Sequence, residues 1–347
     1  MTFKNYANIN HMLTSVVEQS PDRAAYRWFD SHLNTQGVSW REFSSQADQV
    51  SKSLLALGAK KDEKISILSN TCYPWVLSDM GIVSIGAVTV GIYQSNLAKD
   101  CEYIISHSDS VLVFAEDHEQ LEKLLYIKKD IEKVKKVVLF KGDSDEDWVL
   151  SYDDFLALGH TISNEQLKTA QDSVQSEDIA SIVYTSGTTG VPKGVMLSHE
   201  NITFTTQSVA QSTDVHPGDS TLLFLPLAHV FARTILYSSL YSSTTTYFNR
   251  SMDTLLDDFK LAKPHWFASV PRIYEKVYAK VNSGAETKGG LALKIFHWAC
   301  KIGEEASDFN AAHQPLPMGL SLKYGIANKL VFSKLHDAFG GRVRWCI

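Results

Sequence analysis

Residues 185–190 (Thr-Ser-Gly-Thr-Thr-Gly) put four hydroxyls and two glycines together directly after an apolar run, and Lys193 follows closely. Glycine lacks a Cβ, so backbone N–H groups around Gly187 and Gly190 can turn inward and approach an anion. The hydroxyls of Thr185, Ser186, Thr188 and Thr189 add donors for phosphate oxygens, and Lys193 adds a positive charge. The chemistry this set offers is the holding of a polyphosphate. A polar surface turn is the ordinary reading of a short Ser/Thr/Gly run. The density of hydroxyls, the strand before it and the Pro192-Lys193-Gly194 tail argue against that here.

The segment is not a P-loop, which needs Gly, four residues and then Gly-Lys-[Ser/Thr]. Counted from Gly187, Pro192 stands where the second glycine belongs and Gly194 where the hydroxyl belongs. A dinucleotide-type G-x-G-x-x-G is also missing from this segment. His229 and Phe231 lie in a second segment, LPLAHVFAR over 225–233. One histidine among twelve carries little weight by itself, and only its place in that segment singles it out.

Residues 184–202 (YTSGTTGVPKGVMLSHENI) closely resemble the phosphate loop of the adenylate-forming superfamily, which includes acyl-CoA synthetases, luciferases and peptide-synthetase adenylation domains. Two further segments, 225–233 and VPRIYEKVY at 270–278, look most like its long-chain fatty acid branch, as does the helical insertion after them. The openings TSVVEQSPDRAAYRW and VSWREF are similar to family members too, so the resemblance covers nearly the whole chain.

The resemblance implies an ATP-dependent acid–thiol ligase. A fatty acid carboxylate joins the α-phosphate of ATP, diphosphate leaves, and the acyl group passes to the thiol of coenzyme A. It implies that residues 185–190 wrap the β- and γ-phosphates, that Lys193 assists as a cation, and that Thr185 helps to hold Mg²⁺. It also implies that His229 and Phe231 border the acyl site. The adenine turn, the Mg²⁺-binding glutamate and the catalytic lysine of relatives would fall beyond Ile347. The chain is therefore expected to be an incomplete, inactive part of its parent. Two alternatives stay open: a fatty acyl-AMP ligase, and a non-catalytic nucleotide-binding or scaffold protein.

Short apolar runs alternate with amphipathic segments, the pattern of an α/β protein with a largely parallel sheet. Strands are expected at 64–68, 87–92, 111–115, 137–140, 179–185, 221–225, 244–248, 265–270 and in the closing residues. Helices are expected at 40–57, from about Pro74, over the lysine-rich 121–136, from Ser198 to about Gln211, over 253–262, and from Pro271 with breaks near Gly284 and Gly289. Residues 160–178 read as a polar connector. Trp266 and Phe267 read as core, Tyr274 and Tyr278 as one packed helix face, and Arg272 as a surface ion pair. By resemblance, the fold is the truncated large N-terminal domain of the superfamily, with two α/β subdomains whose largely parallel sheets are flanked by helices. The first would span about 60–195 and the second about 1–59 plus 196–347, with the C-terminal lid domain absent.

The chain has 347 residues, 44% of them hydrophobic, and a net charge of −6, which excludes a disordered or collagen-like chain and any global attraction for nucleic acid. Its four cysteines are widely spaced and read as reduced thiols of a cytoplasmic protein. No signal peptide is evident, and the apolar stretch 76–93 reads as a buried helix running into a buried strand. The expected partners are small molecules (fatty acid, ATP and CoA). Peripheral membrane contact and a homodimer are left open.

Overall fold

The computed structural model describes residues 5–185 and 190–347, the side chains at 276, 280 and 288 excepted. The chain begins with α1 (Ile9–Gln19), β1 (Ala24–Phe29), β2 (Thr35–Ser39), α2 (Trp40–Ala56), β3 (Lys64–Leu68), α3 (Tyr73–Ser84), β4 (Val88–Ile92), α4 (Ala98–His107) and β5 (Ser110–Ala115). There follow α5 (His118–Tyr126), β6 (Lys136–Leu139), β7 (Val149–Ser151), α6 (Tyr152–Leu158), α7 (Asn164–Asp172), β8 (Ile179–Thr185), β9 (Lys193–Ser198) and α8 (His199–Ser212). The last part holds β10 (Ser220–Leu223), α9 (Val230–Tyr241), β11 (Thr245–Phe248), α10 (Leu255–Ala262), β12 (Trp266–Phe267), α11 (Pro271–Lys288), α12 (Gly290–Ala311), α13 (Met318–Ala327), α14 (Ser333–Ala338) and β13 (Trp345–Cys346).

These elements form two compact units, one of residues 1–219 with 223–249, the other of 220–222 with 250–347. The first unit is built on a seven-stranded sheet in the order β7-β6-β5-β3-β4-β8-β9. All its pairings are parallel except the β8–β9 hairpin. The inner strands β3, β4, β5 and β6 are mostly apolar because both faces are covered, and β4 is buried at every position. Val113, Val137, Leu139, Ile104 and Leu124 belong to the apolar cluster between this sheet and its helices. The same unit contains β1, parallel to β11 and antiparallel to β2. The second unit contains parallel β10, β12 and β13, with Phe259, Phe267 and Phe339 packed ring to ring at 4.8–5.6 Å. The expected fold class, α/β with mostly parallel sheets flanked by helices, is the one observed.

Local signals account for most boundaries. Ser39 and Glu42 form a capping box at α2, and Ser198 accepts from Asn201 N at the start of α8. Proline opens α3 and α11, where its missing N–H leaves no helical bond unmade. Trp266 and Phe267 are core residues, as expected.

Several expectations fail. The lysine-rich segment is helical only to Tyr126, after which two turns bury Ile127, Ile131 and Val134. The chain has to leave the helix there because Lys135 N bonds Val111 O at 2.8 Å, starting β6 beside β5. The lysines are solvated, as read, with Lys128 and Lys133 paired to Glu146 and Asp109. Residues 160–178 are not a plain connector: Ser163 and Gln166 box-cap α7, whose Leu167 is buried. The strand expected at 265–270 is only two residues long, and that expected at 221–225 ends at Leu223. Gly284 does not break α11, which runs to Lys288. Tyr274 bonds Ile347 O while Tyr278 is largely exposed, so the two do not form one packed face. Arg272 is exposed and makes no ion pair among the described residues.

Candidate nucleotide and acyl site

The β8–β9 hairpin sets the frame of the site. β8 is buried from Ala180 to Tyr184 between β4 and β9, and its last residue, Thr185, emerges exposed. β9 returns antiparallel with Thr185 opposite Lys193 and Tyr184 opposite Gly194. A hydroxyl and an ammonium thus stand exposed at the two stems of the connection. Gly190, the first described residue after the gap, has φ +83°, a conformation costly for a residue with a Cβ. Ser186, Gly187, Thr188 and Thr189 lie outside the described residues.

Side chains from α4 hold both stems. The Tyr103 hydroxyl donates to Pro192 O at 2.9 Å, and His107 Nδ1 lies 2.7 Å from the Tyr184 hydroxyl. Burial pushes the Tyr184 phenol up to about 12, so it stays protonated at neutral pH and can donate to the imidazole.

The chain leaves β4 through α4 for β5, on the far side of β3, whereas it leaves β8 for β9 on the opposite side. Connections that diverge at the carboxyl ends of adjacent strands open a crevice there, the usual ligand position in such sheets.

Residues 225–229 lie against the same end. Thr71, just after β3, donates through Oγ1 to Leu225 O (2.7 Å) and accepts from Leu227 N (3.0 Å). Ala228 crosses β4 so closely that a Cβ added at Gly91 would lie 2.8 Å from its Cα. His229 caps α9, its Nδ1 accepting from Phe231 N at 3.1 Å, which places the proton of the neutral ring on Nε2. His229 is exposed and Phe231 half-buried. The structure therefore puts Thr185, Gly190, Lys193, His229 and Phe231 in one unit, with both segments at the carboxyl ends of its sheet.

Thr71, Gly91 and Tyr103 did not stand out in the sequence as neighbours of these segments. Gly91 had a signal, since a lone glycine inside an apolar strand marks a close backbone approach. Arg233 stood inside the second segment but carried no assigned role. For a metal, the described residues offer no group of three or more His, Cys, Asp or Glu. Thr185 brings one exposed hydroxyl, which suits a Mg²⁺ held mainly by phosphate oxygens. The four cysteines are free. Among the described residues no helix is long and apolar enough to cross a membrane.

The chain matches the AMP-binding enzyme family over residues 13–322. It is 32% identical over 312 residues to long-chain-fatty-acid–CoA ligase ACSBG2 of Homo sapiens, covering 87% of this chain and 46% of that protein. It is 30% identical over 352 residues to long-chain-fatty-acid–CoA ligase FadD15 of Mycobacterium bovis, covering 99% of this chain and 56% of that protein. Among solved structures, the N-terminal domain of FACL13 from Mycobacterium tuberculosis superposes with a TM-score of 0.65 at 24% identity, covering 77% of this chain and 64% of that one. The chain spans about half the length of the curated relatives it matches.

Proposed function

Since the chain belongs to the AMP-binding enzyme family, we propose that it is the nucleotide- and acyl-holding part of a long-chain fatty acid–CoA ligase. The observation that carries this reading is the pairing of Thr185 with Lys193 at the mouth of the β8–β9 connection, in a sheet whose strand β4 is crossed at Gly91 by the turn that leads to His229.

The physical obstacle in such a reaction is charge, because a carboxylate must approach a polyphosphate. In this reading residues 185–190 and Lys193 surround the β- and γ-phosphates with donors and one cation. The carboxylate oxygen attacks the α-phosphorus, the bond to the bridging oxygen breaks, and diphosphate leaves with its negative charge stabilised by those groups. Mg²⁺, when bound, would further neutralise the phosphates, with Thr185 among its holders. His229, with its proton on Nε2, borders the carboxylate, and half-buried Phe231 offers apolar surface to the chain of the acid. The thiol of CoA then displaces AMP from the acyl-adenylate. Division into subdomains of about 60–195 and about 1–59 plus 196–347 belongs to the same proposal.

The test is fatty-acid-dependent ATP–diphosphate exchange by the full-length gene product across acids of different chain length. The expected result is exchange with long-chain acids, and CoA-dependent release of acyl-CoA. Exchange without acyl-CoA formation would make the protein a fatty acyl-AMP ligase. No exchange with any acid would remove the acyl-activating reading.

A further inference from the structure

The first unit contains an ion pair buried on both sides. Arg233, 4% exposed, reaches Asp79, 1% exposed, with Nη2 2.5 Å from Oδ1. The other carboxylate oxygen accepts from the Tyr237 hydroxyl at 2.7 Å. The second arm of the guanidinium, Nη1, donates to the Ser181 hydroxyl, which itself donates to Thr89 O at 3.2 Å. The guanidinium also lies over the rings of Trp75 and Tyr237, at 5.4 and 5.8 Å.

Four elements meet at this one group: Asp79 on α3, Thr89 on β4, Ser181 on β8, and Arg233 with Tyr237 on α9. A buried ion pair is a poor way to gain stability, since an apolar replacement of similar volume is often as good or better. What an apolar contact lacks is direction, and the planar guanidinium fixes two at once, one arm on Asp79 and the other on Ser181. Arg233 lies one turn along the helix that His229 caps, and its main-chain N bonds His229 O at 3.3 Å. Ser181 lies on the strand that ends at Thr185. The guanidinium is thus a rigid strut between the helix bearing His229 and Phe231 and the strand bearing the phosphate-holding stem.

We infer that Arg233, oriented by Asp79, is a positioning residue that sets the acyl-binding turn of α9 in register with the nucleotide-binding end of β8. The inference rests on the acyl-activating reading above. It assigns Arg233 no contact with either substrate. Its effect is on alignment, so each substrate alone still binds while the two no longer meet at the reacting distance.

The experiment uses the full-length gene product with the double variant Asp79→Leu/Arg233→Met, which removes both charges together. Thermal unfolding, equilibrium binding of Mg·ATP alone and of hexadecanoate alone, and kcat of exchange are measured. The expected result is a folded protein that binds each ligand within about twofold of wild type while kcat falls about ten- to a hundredfold, the scale of loss that misalignment produces. A folded double variant with wild-type kcat would overturn the inference. Should the double variant fail to fold, Arg233→Lys decides. It keeps a charge against Asp79 but lacks the second arm for Ser181, so a reduced kcat is expected and an unchanged one overturns the inference. Wild-type protein without exchange would sink the acyl-activating reading, and this inference with it.

Discussion

Thr185 and Lys193 face each other across the last rung of the β8–β9 hairpin. They lie eight positions apart in sequence, yet the ladder brings a hydroxyl and an ammonium to the same mouth. The hairpin therefore presents a donor and a cation on backbone that is already fixed.

Lys193→Ala should raise KM for ATP by roughly ten- to a hundredfold, the equivalent of a charge-assisted hydrogen bond of about 1.5–3 kcal/mol. Lys193 is exposed, so the unfolding temperature should not change. Steady-state kinetics with ATP varied, beside thermal unfolding, checks both. Wild-type kinetics would remove the assigned role.

Gly190→Ala tests backbone geometry. Among the described residues a Cβ there would meet nothing within 4 Å, so the strain it adds comes from the positive φ of +83°. A left-handed residue with a Cβ costs about 1–2 kcal/mol. Gly190→Ala should weaken ATP binding more than Gly190→Asn, because asparagine tolerates that region better. Equal affinities in titrations of the two variants would contradict this.

Gly91→Ala should act on the acyl side. The added Cβ would lie 2.8 Å from Ala228 Cα, so the turn before His229 has to move. We expect a loss of about 1–3 kcal/mol in stability, the usual cost of overpacking, and a higher KM for fatty acid than for wild type. Denaturant unfolding and kinetics with the acid varied read the two effects. A variant unchanged in both would show that the turn is not held by this contact.

His199 gives a pH prediction. It is fully buried, Ile9 N donates to its Nδ1, and burial pushes the imidazole down to about 4, against a partial opposing effect of Asp178. Lys61, paired with Asp178 at 2.6 Å, also favours the neutral ring. The unfolded chain binds a proton on this ring below about 6.5, whereas the folded chain does so only near 4. Stability should therefore fall as pH drops from about 6.5 toward 4, by up to about 1.4 kcal/mol per pH unit. His199→Gln should flatten that slope in urea titrations at pH 7 and pH 5. An equal slope in both proteins would place the acid sensitivity elsewhere.

The fold and the site differ in how much of each could be read in advance. β3, β8 and α8 were legible because buried apolar runs and a Ser cap are local signals. The end of α5 at Tyr126 was not, because it is set by the need of Lys135 to join β5. The capping box Ser163–Gln166 is a local signal too, set in a segment whose polar composition reads as a connector. In the candidate site, residues 185–193 stand out by residue type and spacing as a segment suited to a polyphosphate. The neighbours that locate it do not. Thr71 is 154 residues from Leu225, and Asp79 is 154 from Arg233, so only the sheet order brings them together.

The central claim is that the bend between β8 and β9 cradles the tail of a nucleoside triphosphate. A crystal structure of the full-length gene product with Mg²⁺ and a non-hydrolysable ATP analogue tests it most directly. The account predicts the β- and γ-phosphates within hydrogen-bonding reach of Thr185 and Lys193. Triphosphate density anywhere else, with both residues free of it, would contradict the account.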